Sequence, residues 1–364
     1  MEQPPNPWIR RRPDSVLISK KPIDPEMLIG PHWYIACDAK KLRSKTLLPV
    51  TVGGVHLALF RDRSGSPKAL EDRCLHRNAP ISLARKCGAR LTCAYHGWQY
   101  DFDGVLRKIP SIDDDLLTPQ ARVRAFPCME QDDYVWVCLE AEPAAATPIP
   151  FPNYGKPGWT SFRMATRFHA DVEACLENFL DCPHAVFVHN RWFRAPNDKP
   201  VRAVVRTLAD GAEVEFFNEP RQGGVVWRAL FLKQGTMRHV DRFISPNTSR
   251  VDYELPSGLH YTITSSCTPI GPTETEAHTV ISFRLKYLGW LVRLYFEPLA
   301  RAIIAQDKRM LDAVQTNIDR FGGPRFQSTK ADLLGRWIVA WRKSLAANLP
   351  PPAAGMEDSV VIRL

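Results

Sequence analysis

The sequence has nothing that reads as an export signal. Met1 to Asp14 is rich in Pro and Arg and holds no apolar core segment. Nine cysteines are present, but their spacings form no tight framework, so a disulfide-stapled secreted fold is not expected and a reducing cytoplasm is. Uncharged runs long enough to span a bilayer are missing too. The most apolar stretch, Leu288 to about Phe321, is interrupted by Arg293, Glu297 and Arg301, which makes it an amphipathic helix and leaves membrane attachment unexpected. Val52-Gly53-Gly54 is only a turn, and no G-x-G-x-x-G follows a strand. A plant-type C-x₄-C-x₂-C run is also lacking. NAD(P)H is therefore expected to be used by a partner and not bound here. Net charge is +9, yet basic residues are not clustered with stacking aromatics, which excludes a nucleic-acid reading.

What the chain does have is concentrated between Cys74 and Trp98. Cys74-Leu75-His76-Arg77 offers one thiolate and one imidazole, and Cys93-Ala94-Tyr95-His96-Gly97-Trp98 offers another pair. Thiolates suit iron–sulfur clusters and zinc, and imidazoles suit iron and zinc. Replacing one Cys pair of a [2Fe–2S] cluster by a His pair raises its potential and defines a Rieske centre. A zinc ribbon is the competing reading, but zinc motifs run C-x₂₋₄-C and then H-x₃₋₅-H, whereas the order here is mixed. Ligand for ligand, the two arms resemble the cluster loops of Rieske proteins. Arg73 to Tyr100 also carries five bases (Arg73, Arg77, Arg85, Lys86 and Arg90) and no acid. That excess is either a solvated face or a docking surface for an acidic electron donor.

The 364 residues suffice for two domains, and 45% hydrophobic content supports a real core. Prolines interrupt an irregular arm over residues 1–30. From Trp33 the pattern is short and β-like: His32 to Cys37, Val50 to Val52, Val55 to Phe60, Tyr100 to Phe102 and Tyr134 to Leu139. These define a first domain, 31–142. The Pro- and Ala-rich stretch 143–157 reads as a linker. A second domain, 158–348, mixes both periods. Asp171 to Asp181 has helical spacing with Asp171 as N-cap, and Arg336 to Leu345 is a last helix. Strands are expected at Val201 to Val205, Val214 to Phe217, Val225 to Leu232, Gly258 to Ser265 and Thr279 to Leu285. The tail, 349–364, is expected to be flexible.

A second constellation lies in Asn178-Phe179-Leu180-Asp181-Cys182-Pro183-His184, continuing to His189. Asp181 and His184, three apart, share a helical face. Two His and one carboxylate form the facial triad of non-haem Fe(II) oxygenases. The carboxylate must come from elsewhere, with Asp307 and Asp312 the candidates. Phe179, Phe187, Trp192 and Phe193 flank these residues; they could line an apolar pocket, but core packing is the commoner fate of such side chains.

Together the two stretches resemble the Rieske non-haem iron oxygenases, and within them the dicamba, vanillate and caffeine demethylase and pheophorbide a oxygenase-like members. The likeness runs from about Pro31 to Leu345. Those enzymes share Asn-x-x-Asp-x-x-His-x₄-His, matched by Asn178, Asp181, His184 and His189. Their late Glu-Asp-x motif is matched by Gln306-Asp307-Lys308, with Gln in place of Glu. The resemblance implies an α+β fold: an N-terminal Rieske antiparallel β domain, then a helix-grip (START-like) antiparallel sheet over a long helix. It implies Cys74, His76, Cys93 and His96 on a [2Fe–2S] cluster, and His184, His189 and Asp307 on mononuclear Fe(II) with O₂ as co-substrate. Asp181 would be an electron bridge between sites, and Asn178 an outer partner of the iron ligands. It further implies a head-to-tail homotrimer, an external reductase with or without a ferredoxin, and a small, mostly apolar or aromatic organic substrate. Hydroxylation, demethylation, desaturation and oxidative cyclisation all stay open. So do a redox sensor with a ligand-binding domain lacking active iron, and a pure electron-transfer protein.

Overall fold

The computed structural model describes residues 30–112, 121–189, 199–217, 219, 237–255, 258–284 and 289–363. In the first half, strands run β1 (Trp33–Asp38), β2 (Leu48–Val52), β3 (Val55–Arg61), β4 (Pro67–Glu71), β5 (Arg85–Cys87), β6 (Arg90–Thr92), β7 (Gln99–Asp101), β8 (Leu106–Lys108), β9 (Ala125–Phe126), β10 (Cys128–Gln131) and β11 (Tyr134–Cys138). They form three small sheets, β1-β11-β10, β2-β3-β4-β9 and β5-β6-β7-β8. The β2–β3 turn shows why: Gly53 and Gly54 both take positive φ, the backbone a two-residue hairpin with right-handed twist requires. Phe60, Leu70, Leu91 and Tyr100 fill a core directly beneath Cys74 and Cys93.

The described residues of the second half form one eight-stranded antiparallel sheet with flanking helices. Its strands are β12 (Trp159–Phe168), β13 (Pro200–Leu208), β14 (Gly211–Phe217), β15 (Arg238–Ile244), β16 (Thr248–Glu254), β17 (His260–Gly271), β18 (Glu274–Arg284) and β19 (Glu357–Arg363). They lie in the order β12-β18-β17-β16-β15-β14-β13-β19. Among the described residues four helices accompany it: α1 (Val172–Leu180), α2 (His184–Phe187), α3 (Gly289–Arg320) and α4 (Gly335–Ala346). The sheet's apolar face closes over α1, α3 and α4 through Phe162, Leu176, Phe283, Phe296, Ile338 and Trp341. This is the antiparallel sheet gripping a long helix that the resemblance implied. Asp171 caps α1, its side chain accepting from Ala174 N at 2.7 Å.

Three departures from the sequence-based expectation are informative. The expected flexible tail contains β19, which pairs with β13 from Pro200↔Arg363 to Arg206↔Glu357. Val360 and Ile362 turn inward there, and the pairing covers the otherwise open edge of β13. Strands β12, β15 and β16 were not expected, because charges such as Arg163, Arg238, Arg242 and Arg250 break their apolar alternation. Phe151, in the expected linker, is buried against Ile35, Tyr134, Trp136 and Val280. The expected strand at Val225 to Leu232 and the arm over 1–29 lie outside the described residues.

The halves are stitched together. Gly53 N donates to Pro269 O at 2.7 Å, Gly54 N to Ile270 O at 3.0 Å, and Thr268 Oγ1 to Ile35 O at 2.9 Å. Arg163 pairs with Asp38 at 3.1 Å and lies over the Tyr134 ring.

Candidate functional site

Two loops of the first domain have the same shape. In one, Asn78 N donates to Cys74 O at 3.0 Å and Cys74 N to Ala79 O at 2.8 Å. In the other, Gly97 N donates to Cys93 O at 3.0 Å and Cys93 N to Trp98 O at 2.8 Å. Asn78 and Gly97, each four residues after its Cys, take positive φ (60° and 72°), which reverses the chain. The loops sort their donors by type. Cys74 and Cys93 are 1% and 3% exposed and close enough for their thiols to interact. His76 and His96 face each other nearer the surface, ring centroids 4.4 Å apart, with His76 stacked on Trp98.

This set fits a binuclear cluster better than a single ion. Among the described residues, the sets of three donors lying mutually within 4.8 Å, as one zinc needs, do not include these four. Thiols on one side and imidazoles on the other suit two irons with different ligands. His76 Nδ1 is buried with no hydrogen-bond partner among the described residues, which fits a nitrogen reserved for a metal bond. Burial pushes the Cys74 thiol up, so the thiolate needs a cation to form. Tyr100 holds its hydroxyl 3.1 Å from Cys74 Sγ while Leu75 N donates to it at 3.2 Å.

The surrounding bases are not equivalent. Lys86 Nζ is spent on the carbonyls of Ser44 and Arg61, and burial lowers its pKa. Arg73 pairs with Glu71 at 2.7 Å, and Arg90 donates to Gln99 Oε1 at 3.0 Å. Arg77 and Arg85 are exposed. Of the bases expected as a solvated or docking face, Lys86 is thus tied to backbone, whereas Arg77 and Arg85 face solvent.

In the second domain, α1 delivers Asn178 and ends at Asp181; Pro183 starts α2, which carries His184, and His189 follows its end. Asp307 comes from the middle of α3. His184, His189 and Asp307 form a three-donor group within 4.8 Å. His189 Nε2 lies 3.0 Å and His184 Nε2 3.5 Å from Asp307 Oδ1. Asp307 Oδ1 is buried and, among the described residues, makes no well-formed hydrogen bond with either ring. Three donors aimed at one point without bonding each other fit a shared metal.

Each imidazole is tied back through Nδ1, so that Nε2 faces the centre. His184 Nδ1 bonds the Asp181 carbonyl, and His189 Nδ1 donates to Gln306 Oε1 at 2.8 Å. Burial lowers the His184 pKa, but the Asp181 and Asp307 carboxylates override it and lift it to about 9. Burial pushes the Asp307 carboxyl up, and the two imidazoles more than reverse this.

Asp181's carboxylate stands 3.6 Å from His184 Nδ1, beyond hydrogen-bond range, and is 38% exposed. It is the backbone carbonyl, not the carboxylate, that holds the ring. Asp312 is elsewhere: it accepts from His169 N at 3.0 Å and pairs with Lys308. A cavity of about 140 Å³ opens beside the three donors, with Asn178, Phe179, Met164, Tyr261 and Phe296 in its wall. Phe187 is 80% exposed and points away, and Trp192 and Phe193 lie outside the described residues. A buried Glu219–His239–Asp241 cluster also reaches this cavity and was missed in the sequence. Its one available signal is the His-x-Asp alternation inside Arg238-His239-Val240-Asp241-Arg242.

Comparison with known proteins matches both halves. A model of the Rieske [2Fe–2S] domain matches residues 32–127, and one of the vanillate O-demethylase oxygenase C-terminal domain matches 168–349. Chlorophyllide a oxygenase of Chlamydomonas reinhardtii is 34% identical over 168 residues, 44% of this chain and 24% of that protein. The match thus spans about a quarter of that relative's length. The 4β-methylsterol monooxygenase of Methylococcus capsulatus is 28% identical over 363 residues, covering 89% of this chain and 92% of that protein. Among solved structures, dicamba monooxygenase bound to dicamba superposes with a TM-score of 0.74 at 20% identity, over 88% of this chain and 98% of that one. At that identity the likeness speaks for the fold.

Proposed function

This chain belongs to the Rieske oxygenase family with a vanillate O-demethylase-type C-terminal domain, and from that premise we propose that it is the oxygenase component of a multi-protein system oxidising a small, mostly apolar or aromatic molecule. Cys74, His76, Cys93 and His96 hold a [2Fe–2S] cluster, and His184, His189 and Asp307 hold Fe(II). The observation that carries the reading is the convergence of those last three donors on one wall of an apolar cavity, each imidazole tied back. When bound, the cluster supplies single electrons and the iron supplies open positions for O₂.

The chain's own residues then have distinct work. Gln306 and the Asp181 carbonyl fix which imidazole nitrogens face the metal. Met164, Phe179 and Phe296 exclude water and receive apolar substrate. Asn178, with Oδ1 buried and unbonded among the described residues, polarises one point of the wall.

Electrons come from a separate reductase, directly or through a ferredoxin, that docks at Arg77 and Arg85. The assembly is a head-to-tail homotrimer, in which His96 of one subunit approaches Asp181 of the next. Two exposed surfaces support it. Tyr95 (65% exposed) stands against the exposed His96, and Phe187, six residues after Asp181 in the chain, is 80% exposed. Each presents an apolar side chain that a neighbouring subunit can cover. The cytoplasm is the proposed compartment: none of the nine cysteines is in a disulfide, and among the described residues no helix is long and apolar enough to cross a membrane.

Metal and acid-labile sulfide on anaerobically purified protein test the reading. About three irons and two sulfides per chain are expected. Two irons with two sulfides, unchanged after ferrous add-back, would leave an electron-transfer or sensor protein. Zinc without sulfide would overturn the assignment of both centres.

A further inference from the structure

On its sheet side, the cavity beside His184 and His189 is graded in polarity. Side chains two apart on a strand share one face. Register then sets three rows on that face. Tyr253 of β16 stands opposite Tyr261 of β17. Val251 stands opposite Ile263, and Ile263 opposite Ile281 of β18. Ser249 stands opposite Ser265, and Ser265 opposite Thr279. All of these residues line the cavity. The wall thus passes from aromatic rings through aliphatic chains to hydroxyls. The hydroxyl row is deeply buried: Ser249, Ser265 and Thr279 are 3%, 3% and 4% exposed. Ser265 Oγ and Thr279 Oγ1 lie 2.8 Å apart, so one donates to the other and one proton of the pair is left to give. Among the described residues the Ser249 hydroxyl has no hydrogen-bond partner.

A buried hydroxyl without a partner is unfavourable, and a ligand that supplies one removes the deficit. The charged groups belong to other parts of the wall. Asp181, His184, His189 and Asp307 make up the iron site, with Asn178 beside them on α1, and Asp241 meets His239 Nε2 at 2.8 Å. Among the described residues lining the cavity there is no Lys or Arg. A carboxylate ligand would therefore meet three carboxylates and no ammonium or guanidinium. A Ser or Thr hydroxyl both gives and accepts a hydrogen bond and needs no counter-charge, so the row suits an uncharged oxygen. The cavity, about 140 Å³, is close in size to one that holds a single benzene ring. We propose that Ser249, Ser265 and Thr279 receive the uncharged oxygen, hydroxyl or carbonyl, of a substrate whose apolar part lies along Val251, Ile263 and Ile281. The proposal rests on reading this cavity as the substrate chamber of an oxygenase, and it narrows the class that chamber takes to ring-sized neutral alcohols and ketones.

The test is anaerobic calorimetric titration of the iron-loaded protein with benzyl alcohol, toluene, benzylamine and benzoate, which share a ring and differ at one end. Benzyl alcohol is expected to bind about tenfold tighter than each of the others. Ser249→Ala and Thr279→Val remove a hydroxyl and little else. Each is expected to lower the ratio of benzyl alcohol to toluene affinity by about threefold, and the double variant to bring it close to one. Ser249→Thr and Thr279→Ser keep a hydroxyl and are expected to keep the preference. Benzyl alcohol binding no tighter than toluene overturns the proposal without recourse to any variant, and so does a preference that survives the double variant. Tightest binding of benzylamine or benzoate overturns it in favour of a charged ligand. The same titration on iron-free protein separates the two claims. If iron never loads but the alcohol preference holds, the oxygenase reading falls and the hydroxyl row stands. If iron loads and no preference is seen, the row falls and the oxygenase reading stands.

Discussion

Nδ1 of His189 donates to Oε1 of Gln306, 2.8 Å away and one residue before Asp307 on the same helix. That bond leaves Nε2 as the only nitrogen His189 can offer the centre. Gln306 stands where the family motif has Glu, and here its amide oxygen takes up the accepting role. Gln306→Leu should lower Fe(II) affinity by roughly 10–100-fold, the usual effect of losing such an orienting partner. Gln306→Glu should match or exceed the wild type, since a carboxylate makes the imidazole more basic. Ferrous titration of the metal-depleted protein measures both; equal affinity in all three would deny Gln306 the role.

Tyr100 gives a prediction at the other centre. Leu75 N donates into the Tyr100 hydroxyl oxygen, so the hydroxyl's own proton is free to point at Cys74 Sγ. A donor to a ligand sulfur favours the more negative, reduced cluster. Tyr100→Phe removes that donor and keeps the ring in its fully buried slot. At about 1 kcal/mol for the bond, the potential should fall by about 40 mV for a one-electron couple. An EPR-monitored redox titration reads it, and an unshifted potential would mean the hydroxyl points elsewhere.

Those two centres were the legible part of the sequence, and the reason is chemical. Candidate metal ligands within one loop or turn recur at tight spacings, so Cys74, His76, Cys93 and His96, or His184 and His189, stand out as such candidates. The tail hid β19 behind its Pro/Ala stretch, and the charges on β15 and β16 masked their alternation. Glu219, His239 and Asp241 were invisible for a different reason: only sheet register brings His239 between Phe216 and Tyr253, and register is a long-range property. The ties of Lys86 were hidden as well, because a count of charges does not show which side chains are bonded to backbone.

His278 carries a pH dependence of stability. It is 2% exposed, and among the described residues neither ring nitrogen has a hydrogen-bond partner; the Glu276 carboxylate stops 3.8 Å short. Burial above all, then Lys41 and Arg163, lowers its pKa to about 3. The folded protein thus keeps it neutral, while the unfolded chain protonates it below about 6.5. Its contribution is intact above that pH and is lost as pH falls toward 3. Between pH 7 and 5 the loss should be about 2 kcal/mol. Urea unfolding of wild type and His278→Met at both pH values reads it as a pH-dependent difference; parallel curves would contradict it.

Arg77 and Arg85 are expected to steer the electron donor. Charge reversal at either, Arg77→Glu or Arg85→Glu, should slow stopped-flow cluster reduction by about tenfold at low ionic strength. The deficit should vanish as salt rises, because exposed charges are screened. Lys86→Glu is the contrast: its ammonium bonds the Ser44 and Arg61 carbonyls, so this change should lower stability. A salt-independent rate in the Arg variants would move the docking site.

Asp181 separates assembly from electron flow. Its backbone carbonyl holds His184, so Asp181→Asn keeps that bond and the iron site with it. What changes is the carboxylate, 38% exposed and 3.6 Å from His184 Nδ1, placed to accept a hydrogen bond from outside the subunit. Iron and sulfide contents and the rate of cluster reduction should therefore match the wild type. Reoxidation of the reduced cluster in a single turnover with O₂ should slow by about 10–100-fold. Phe187→Asp reaches the same step by another route: if the proposed trimer buries Phe187, a charge there should break it in sedimentation experiments. If Asp181→Asn loses iron, the carboxylate is part of the metal site and not a bridge. If reoxidation is unchanged while the trimer persists, the electron takes a path that avoids His184.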